Sequence, residues 1–64
     1  MKINGKNLDI KSEITVIELL TILEINKDKV VVEINGEIIP LNDYSEITLK
    51  EDDTIEVISF VGGG

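Results

Sequence analysis

The chain has 64 residues, without cysteine, histidine or tryptophan, and its 13 acidic and 6 basic side chains give a net charge of −7. A chain of this length forms one domain that buries about 60% of its unfolded surface, which leaves little room for an enclosed catalytic cleft. The missing residue types exclude a thiol nucleophile, an imidazole base, a zinc site and a disulfide framework, and the acidic excess opposes nucleic acid binding.

The N-terminal third predicts a hairpin followed by a helix. Asn4-Gly5 tolerates the positive φ of a tight turn between two short apolar-rich segments. An apolar spacing of three or four residues then predicts an amphipathic helix at roughly residues 16–24. Thr15 and Glu18 have the spacing of a capping box at its start. So short a helix is unstable alone and must pack on a sheet.

The rest of the chain predicts strands separated by turns. The apolar run at residues 30–34 indicates a central strand, Asn35-Gly36 turns it back, and Pro40 ends the returning strand at residues 37–39. After this hairpin we expect a polar connection at 41–46, a brief strand at 47–49, a turn at 51–53 and a final strand at 54–61.

This order of elements predicts an α+β protein with the β-grasp, or ubiquitin-like, fold. One helix crosses one face of a mixed sheet of four to five strands, and the first and last strands pair in parallel at its centre. We assign residues 1–61 to this single domain and residues 62–64 to a flexible glycine tail. Because no apolar run approaches the ~20 residues of a membrane span, we expect a cytoplasmic protein with no membrane segment.

Alternation along the final strand directs Ile55 and Val57 to the helix and Ile58 and Phe60 to the opposite face. Apolar side chains there have no core to enter, so Ile58, Phe60 and Val61 are predicted to dock a partner. The alternative is that Phe60 folds over the sheet edge. Two further apolar residues, Ile39 and Tyr44, are predicted to be half-buried structural residues.

The glycines at 62, 63 and 64 follow this strand directly. One interpretation of these glycines is purely structural: they form a frayed terminus without a function. The functional one is that a carboxylate on a chain without Cβ atoms threads a narrow channel in another protein, where ATP activates it as an acyl adenylate. The adjacent carboxylates of Glu51, Asp52 and Asp53 are interpreted as a solvated turn rather than a metal site, because neighbouring residues do not converge on one ion.

Three segments resemble the ThiS family of sulfur carriers in thiamine biosynthesis: TVIELL at 15–20, VVEINGEIIP at 31–40 and FVGGG at 60–64. The resemblance covers nearly the whole chain. Two positions depart from the family pattern: Leu41 stands where a basic residue often follows the proline, and Asp52 where the turn often has glycine.

The resemblance implies a carrier that is not itself an enzyme and binds no cofactor. A ThiF-type enzyme, using ATP and magnesium, would adenylate Gly64, next to Gly63 and Gly62. Sulfur from a cysteine desulfurase would then give a thiocarboxylate, which donates its sulfur to the thiazole synthase ThiG. Two alternatives share the tail, a small subunit of molybdopterin synthase and a ubiquitin-like protein modifier, while a purely structural module would not use it.

Overall fold

The structure, a computed structural model, describes residues 1–10 and 13–59 and packs one α-helix on a five-stranded sheet. The strands are β1 (Lys2–Ile3), β2 (Lys6–Asn7), β3 (Ile14–Thr15), β4 (Val30–Ile34), β5 (Glu37–Ile39), β6 (Thr48–Leu49) and β7 (Thr54–Ser59). The helix is α1 (Val16–Ile22), and 3₁₀ turns occupy Lys27–Lys29 and Leu41–Asp43. No helix in the described part of the chain has the length and apolar character needed to cross a membrane.

The main sheet has the strand order β2-β1-β7-β4-β5, which confirms the predicted β-grasp arrangement. The first strand, β1, runs parallel to β7, with Ile3 opposite Ile55, and β4 runs antiparallel to β7 on its other side. The final strand of the chain is therefore the central strand of the sheet.

The start of α1 has the predicted capping box. The Glu18 backbone N–H donates to Thr15 Oγ1 at 3.2 Å, and the Thr15 N–H donates to Glu18 Oε1 at 2.8 Å. The buried side of the helix consists of Val16, Leu19 and Leu20.

The prediction that the helix extends to residue 24 was wrong, because α1 ends at Ile22. Glu24 adopts a left-handed conformation with a φ of 59°. Its N–H donates to the Thr21 carbonyl at 3.1 Å, and the Ile25 N–H donates to the Leu20 carbonyl at 2.9 Å. These two bonds form a Schellman motif, which satisfies the last carbonyls of the helix and turns the chain away.

A second, two-stranded sheet was not predicted. In it, β3 pairs antiparallel with β6, so that Ile14 lies opposite Leu49 and Thr15 opposite Thr48. Strand β3 leads directly into the helix, which begins at Val16. The brief strand predicted at 47–49 exists as β6 and pairs outside the main sheet.

The core lies between α1 and the main sheet. Among residues 1–10 and 13–59, the buried core residues are Ile3, Val16, Leu19, Leu20, Val30, Val32, Tyr44, Leu49, Ile55 and Val57. The prediction of a half-buried Tyr44 was wrong, because this side chain is only 2% exposed. Its backbone carbonyl accepts the Ile17 N–H at 3.1 Å, which holds the connection against the start of the helix. The predicted half-burial of Ile39 is confirmed.

Candidate partner-docking face

The candidate functional surface is the face of the main sheet opposite α1, called here the outer face. Ile58 on β7 is 46% exposed there, as predicted, and pairs across the strands with Val31 on β4. Ile38 on β5 is 66% exposed and lies opposite Glu33, diagonally from Val31. We call Val31, Ile38 and Ile58 the outer apolar patch.

Strand alternation produces this patch. Val32 and Val57 face the helix and are buried, so their neighbours Val31 and Ile58 face away from it. The sequence interpretation identified Ile58 but missed Val31 and Ile38. Each belongs to a run of consecutive apolar residues in a strand, and such a run must place at least one side chain on each face.

Two acidic residues border the patch. Glu33 on β4 and Glu56 on β7 are directly opposite in the antiparallel register, and both lie on the outer face. Neither carboxylate forms an ion pair with another residue that the structure describes. Like charges at directly opposed positions repel, because their Cβ atoms are only about 5 Å apart. The outer face thus combines exposed apolar groups with two carboxylates that have no ion-pair partner in the described part of the chain.

The strand that leads to the glycine tail is held on both sides. Asn4 lies at the end of β1, and its Oδ1 accepts the Val57 N–H at 2.8 Å while its Nδ2 donates to the Val57 carbonyl at 3.3 Å. On the other side, β4 pairs with β7 as far as Val30 opposite Ser59. This double attachment holds β7 within the sheet as far as Ser59, the last residue that the structure describes.

The predicted tail and part of the predicted interface lie outside the described residues. They are Phe60, Val61, Gly62, Gly63 and Gly64, and the functions assigned to them remain predictions. Of the predicted interface residues, Ile58 is described, and it lies on the surface where it was expected.

The turn before β7 is built as predicted around its acidic residues. Asp53 Oδ2 accepts the Lys50 N–H at 2.8 Å, and Asp53 Oδ1 accepts from Asn35 Nδ2 at 3.0 Å. Asp52 is exposed in this turn. The other departure from the family pattern, Leu41, is 47% exposed and lines a hollow of about 260 Å³ that also reaches Val31 and Ile38.

Known proteins with similar sequences and structures match this chain along all or nearly all of its length. A model of the ThiS family matches residues 1–64. The sulfur carrier protein ThiS of Bacillus subtilis is 38% identical over 65 residues, which cover 100% of this chain and 98% of that protein. A crystal structure of the thiamine biosynthesis protein (ThiS) from Geobacter metallireducens matches with a TM-score of 0.84 and 33% identity, over 98% of this chain and 96% of that one.

A larger enzyme contains a similar segment. The thiazole synthase of Paramagnetospirillum magneticum is 37% identical over 62 residues, which cover 97% of this chain and 19% of that enzyme. The chain therefore spans about a fifth of the length of this relative.

Proposed function

Because the chain belongs to the ThiS family, we propose that it is a sulfur carrier of thiamine biosynthesis that holds sulfur as a thiocarboxylate on Gly64. The observation that carries this proposal is the match to the family and to the Bacillus carrier along the full chain, including residues 62–64. The chain acts as a substrate of its partner enzymes, because its own residues supply neither a thiol nor an imidazole.

The proposed chemistry takes place on the carboxylate of Gly64. One of its oxygens attacks the α-phosphorus of ATP in the active site of an adenylating enzyme, and pyrophosphate leaves. Hydrosulfide then attacks the acyl carbon of the adenylate, AMP leaves, and the lost proton gives the thiocarboxylate anion. In the cell, a cysteine desulfurase supplies this sulfur as an enzyme-bound persulfide, from which a thiol reductant releases hydrosulfide with two electrons, and magnesium accompanies the ATP.

A thiazole synthase of the ThiG type is the proposed acceptor of the sulfur. The support is the Paramagnetospirillum thiazole synthase, in which a segment similar to this chain belongs to the same polypeptide as the enzyme. The outer apolar patch, which includes Ile58 near the end of β7, adds a surface on which such an enzyme can dock, since exposed apolar groups can mark interaction sites.

The test is mass spectrometry of the full chain after incubation with a ThiF-type enzyme, ATP, magnesium and sodium sulfide. Alkylation with iodoacetamide before fragmentation marks the thiocarboxylate. The absence of cysteine makes an alkylated C-terminal fragment diagnostic. We expect the adduct on Gly64, and none on a variant that lacks Gly63 and Gly64. An unmodified wild-type chain, with an enzyme that modifies its own carrier, would contradict the proposal and favour a protein modifier or a binding module.

A further inference from the structure

We propose that Glu33 and Glu56 form a receptor for an arginine of the adenylating partner, with the outer apolar patch packing around it. This inference rests on the proposed function, because it assumes an enzyme that receives the tail. The observation that carries it is the register of β4 and β7, which places two carboxylates directly opposite each other beside Val31, Ile38 and Ile58, with no ion-pair partner for either among the described residues.

The opposed glutamates are unfavourable in the isolated chain. Like charges directly opposite on one sheet face destabilise the strand pair, and here no cation from the described residues lies within ion-pair distance of either carboxylate. An apolar partner surface alone would worsen this, because covering the face removes water from both charges. A cation in the partner would remove the repulsion and replace the lost water.

An arginine meets these requirements better than a lysine. Its planar guanidinium carries five N–H donors and can donate to two carboxylates at once, whereas an ammonium acts as a compact point charge. Arginine is also weakly hydrated and packs on apolar groups, which suits a site flanked by Val31 and Ile58.

Chain length places the same partner near the end of β7, the strand that contributes Glu56 and Ile58 to this face. Five residues, 60–64, follow Ser59, the end of β7, and fully extended they span at most about 17 Å. An enzyme that acts on Gly64 therefore lies within that distance of the strand that carries Glu56 and Ile58. The net charge of −7 favours a basic partner surface in the same way.

The test compares Glu33→Gln, Glu56→Gln and the double variant with Glu37→Gln as the matched control. Glu37 is exposed and lies opposite Ile34, on the helix side of the same sheet, so its variant removes one charge away from the outer face. We expect KM for the chain to rise about threefold to tenfold in each single variant and further in the double variant. In the Glu33 and Glu56 variants, the salt dependence of KM should weaken while kcat stays unchanged. In the Glu37→Gln variant, both KM and kcat should equal those of the wild-type chain.

Charge reversal separates recognition from stability. In Glu56→Lys, an ammonium would stand opposite Glu33, so the melting temperature of the free chain should rise by about 2 to 4 °C. The same variant should bind the enzyme more weakly than Glu56→Gln, because the introduced cation repels the arginine. A merely structural pair would not change stability and binding in opposite directions.

Calorimetric titration of the adenylating enzyme with the chain, in the absence of ATP, measures the affinity to which the outer face contributes. Alkylation of Gly64 measures whether the chemistry takes place. A wild-type chain that binds without becoming modified would contradict the proposed function and leave the inference standing. Equal KM and affinity for the double variant and Glu37→Gln would overturn the inference while the proposed function stands. A wild-type chain that does not bind would overturn the inference directly.

Discussion

Two asparagines make turns and also hold the central strand. Asn4 and Asn35 have φ values of 51° and 52°, and the glycines after them have φ values of 84° and 88°, as two-residue hairpin turns require. Asn4 bonds both backbone groups of Val57, and Asn35 Oδ1 accepts the Thr54 N–H at 3.0 Å. Aspartate tolerates the same turn but has no side-chain N–H to donate. The amide groups are therefore needed for the hydrogen bonds that Asn4 donates to Val57 and Asn35 donates to Asp53.

Replacing the two amides should have unequal effects. Asn35→Asp loses the donor to Asp53 Oδ1 and places two carboxylates at that 3.0 Å contact, so we expect a loss of about 1.5 kcal/mol. Asn4→Asp loses only the 3.3 Å bond to the Val57 carbonyl and should cost about 0.5 kcal/mol. Urea unfolding of both variants measures these losses. Equal losses would show that the amide–carboxylate contact contributes nothing.

The sequence predicted both turns but neither set of side-chain bonds. Asn-Gly is a local signal, since the two residues alone determine the turn that they favour. The bonds to β7 depend on the order of strands, because β7 must lie between the hairpins that carry Asn4 and Asn35. Such contacts join residues up to 53 positions apart in the sequence and leave no local pattern.

At the scale of elements, the end of α1 shows where local signals were insufficient. A Schellman motif usually has glycine at the left-handed position, but here the residue is Glu24. Without that glycine, no local signal marks Ile22 as the last residue of the helix. Packing determines where the helix ends instead, because the motif closes between Leu20, which is buried, and Ile25, which is half-buried against the core.

Glu24→Gly should therefore stabilise the protein. A residue with a Cβ atom in the left-handed region costs roughly 1–2 kcal/mol, which glycine relieves, and the greater freedom of glycine in the unfolded chain offsets part of the gain. We expect a net gain of about 0.5–1 kcal/mol, or about 2 to 8 °C in Tm by calorimetry. Glu24→Ala is the control, because it removes the same charge and keeps the Cβ atom. A similar gain in Glu24→Ala would assign the effect to charge.

Strands β4 and β5, which lie between clear turn signals, were predicted with their observed bounds, whereas β3 was not predicted. Strand β4 was predicted with its observed bounds, because an apolar run between turn signals is distinctive. Strands β3 and β6 have two residues each, too few to show a period of two, and only their tertiary pairing defines them. The outer apolar patch was predicted in part, since Ile58 follows from alternation but its neighbours follow from the register of three strands.

At the scale of the whole molecule, the electrostatics of the isolated chain are dominated by repulsion. The 13 acidic side chains outnumber the 6 basic ones, and Glu33 faces Glu56 directly. The ion pair between Lys27 Nζ and Asp28 Oδ1 has a length of 3.5 Å, and both side chains are at least half exposed, so it contributes little. Folding brings these like charges closer together than they are in the expanded chain, which lowers the stability of the folded state.

Added salt should accordingly stabilise the protein. Raising NaCl from 10 to 500 mM shortens the Debye length from about 30 Å to about 4 Å, which screens the repulsion between exposed carboxylates. We expect the free energy of unfolding to rise by about 1 kcal/mol, measured by urea denaturation because urea adds no ions. The Glu33→Gln, Glu56→Gln double variant should start more stable and gain less, since its directly opposed pair of carboxylates is gone. A loss of stability with salt would show instead that attractive ion pairs dominate, and an equal gain in both proteins would assign the repulsion to charges outside the outer face.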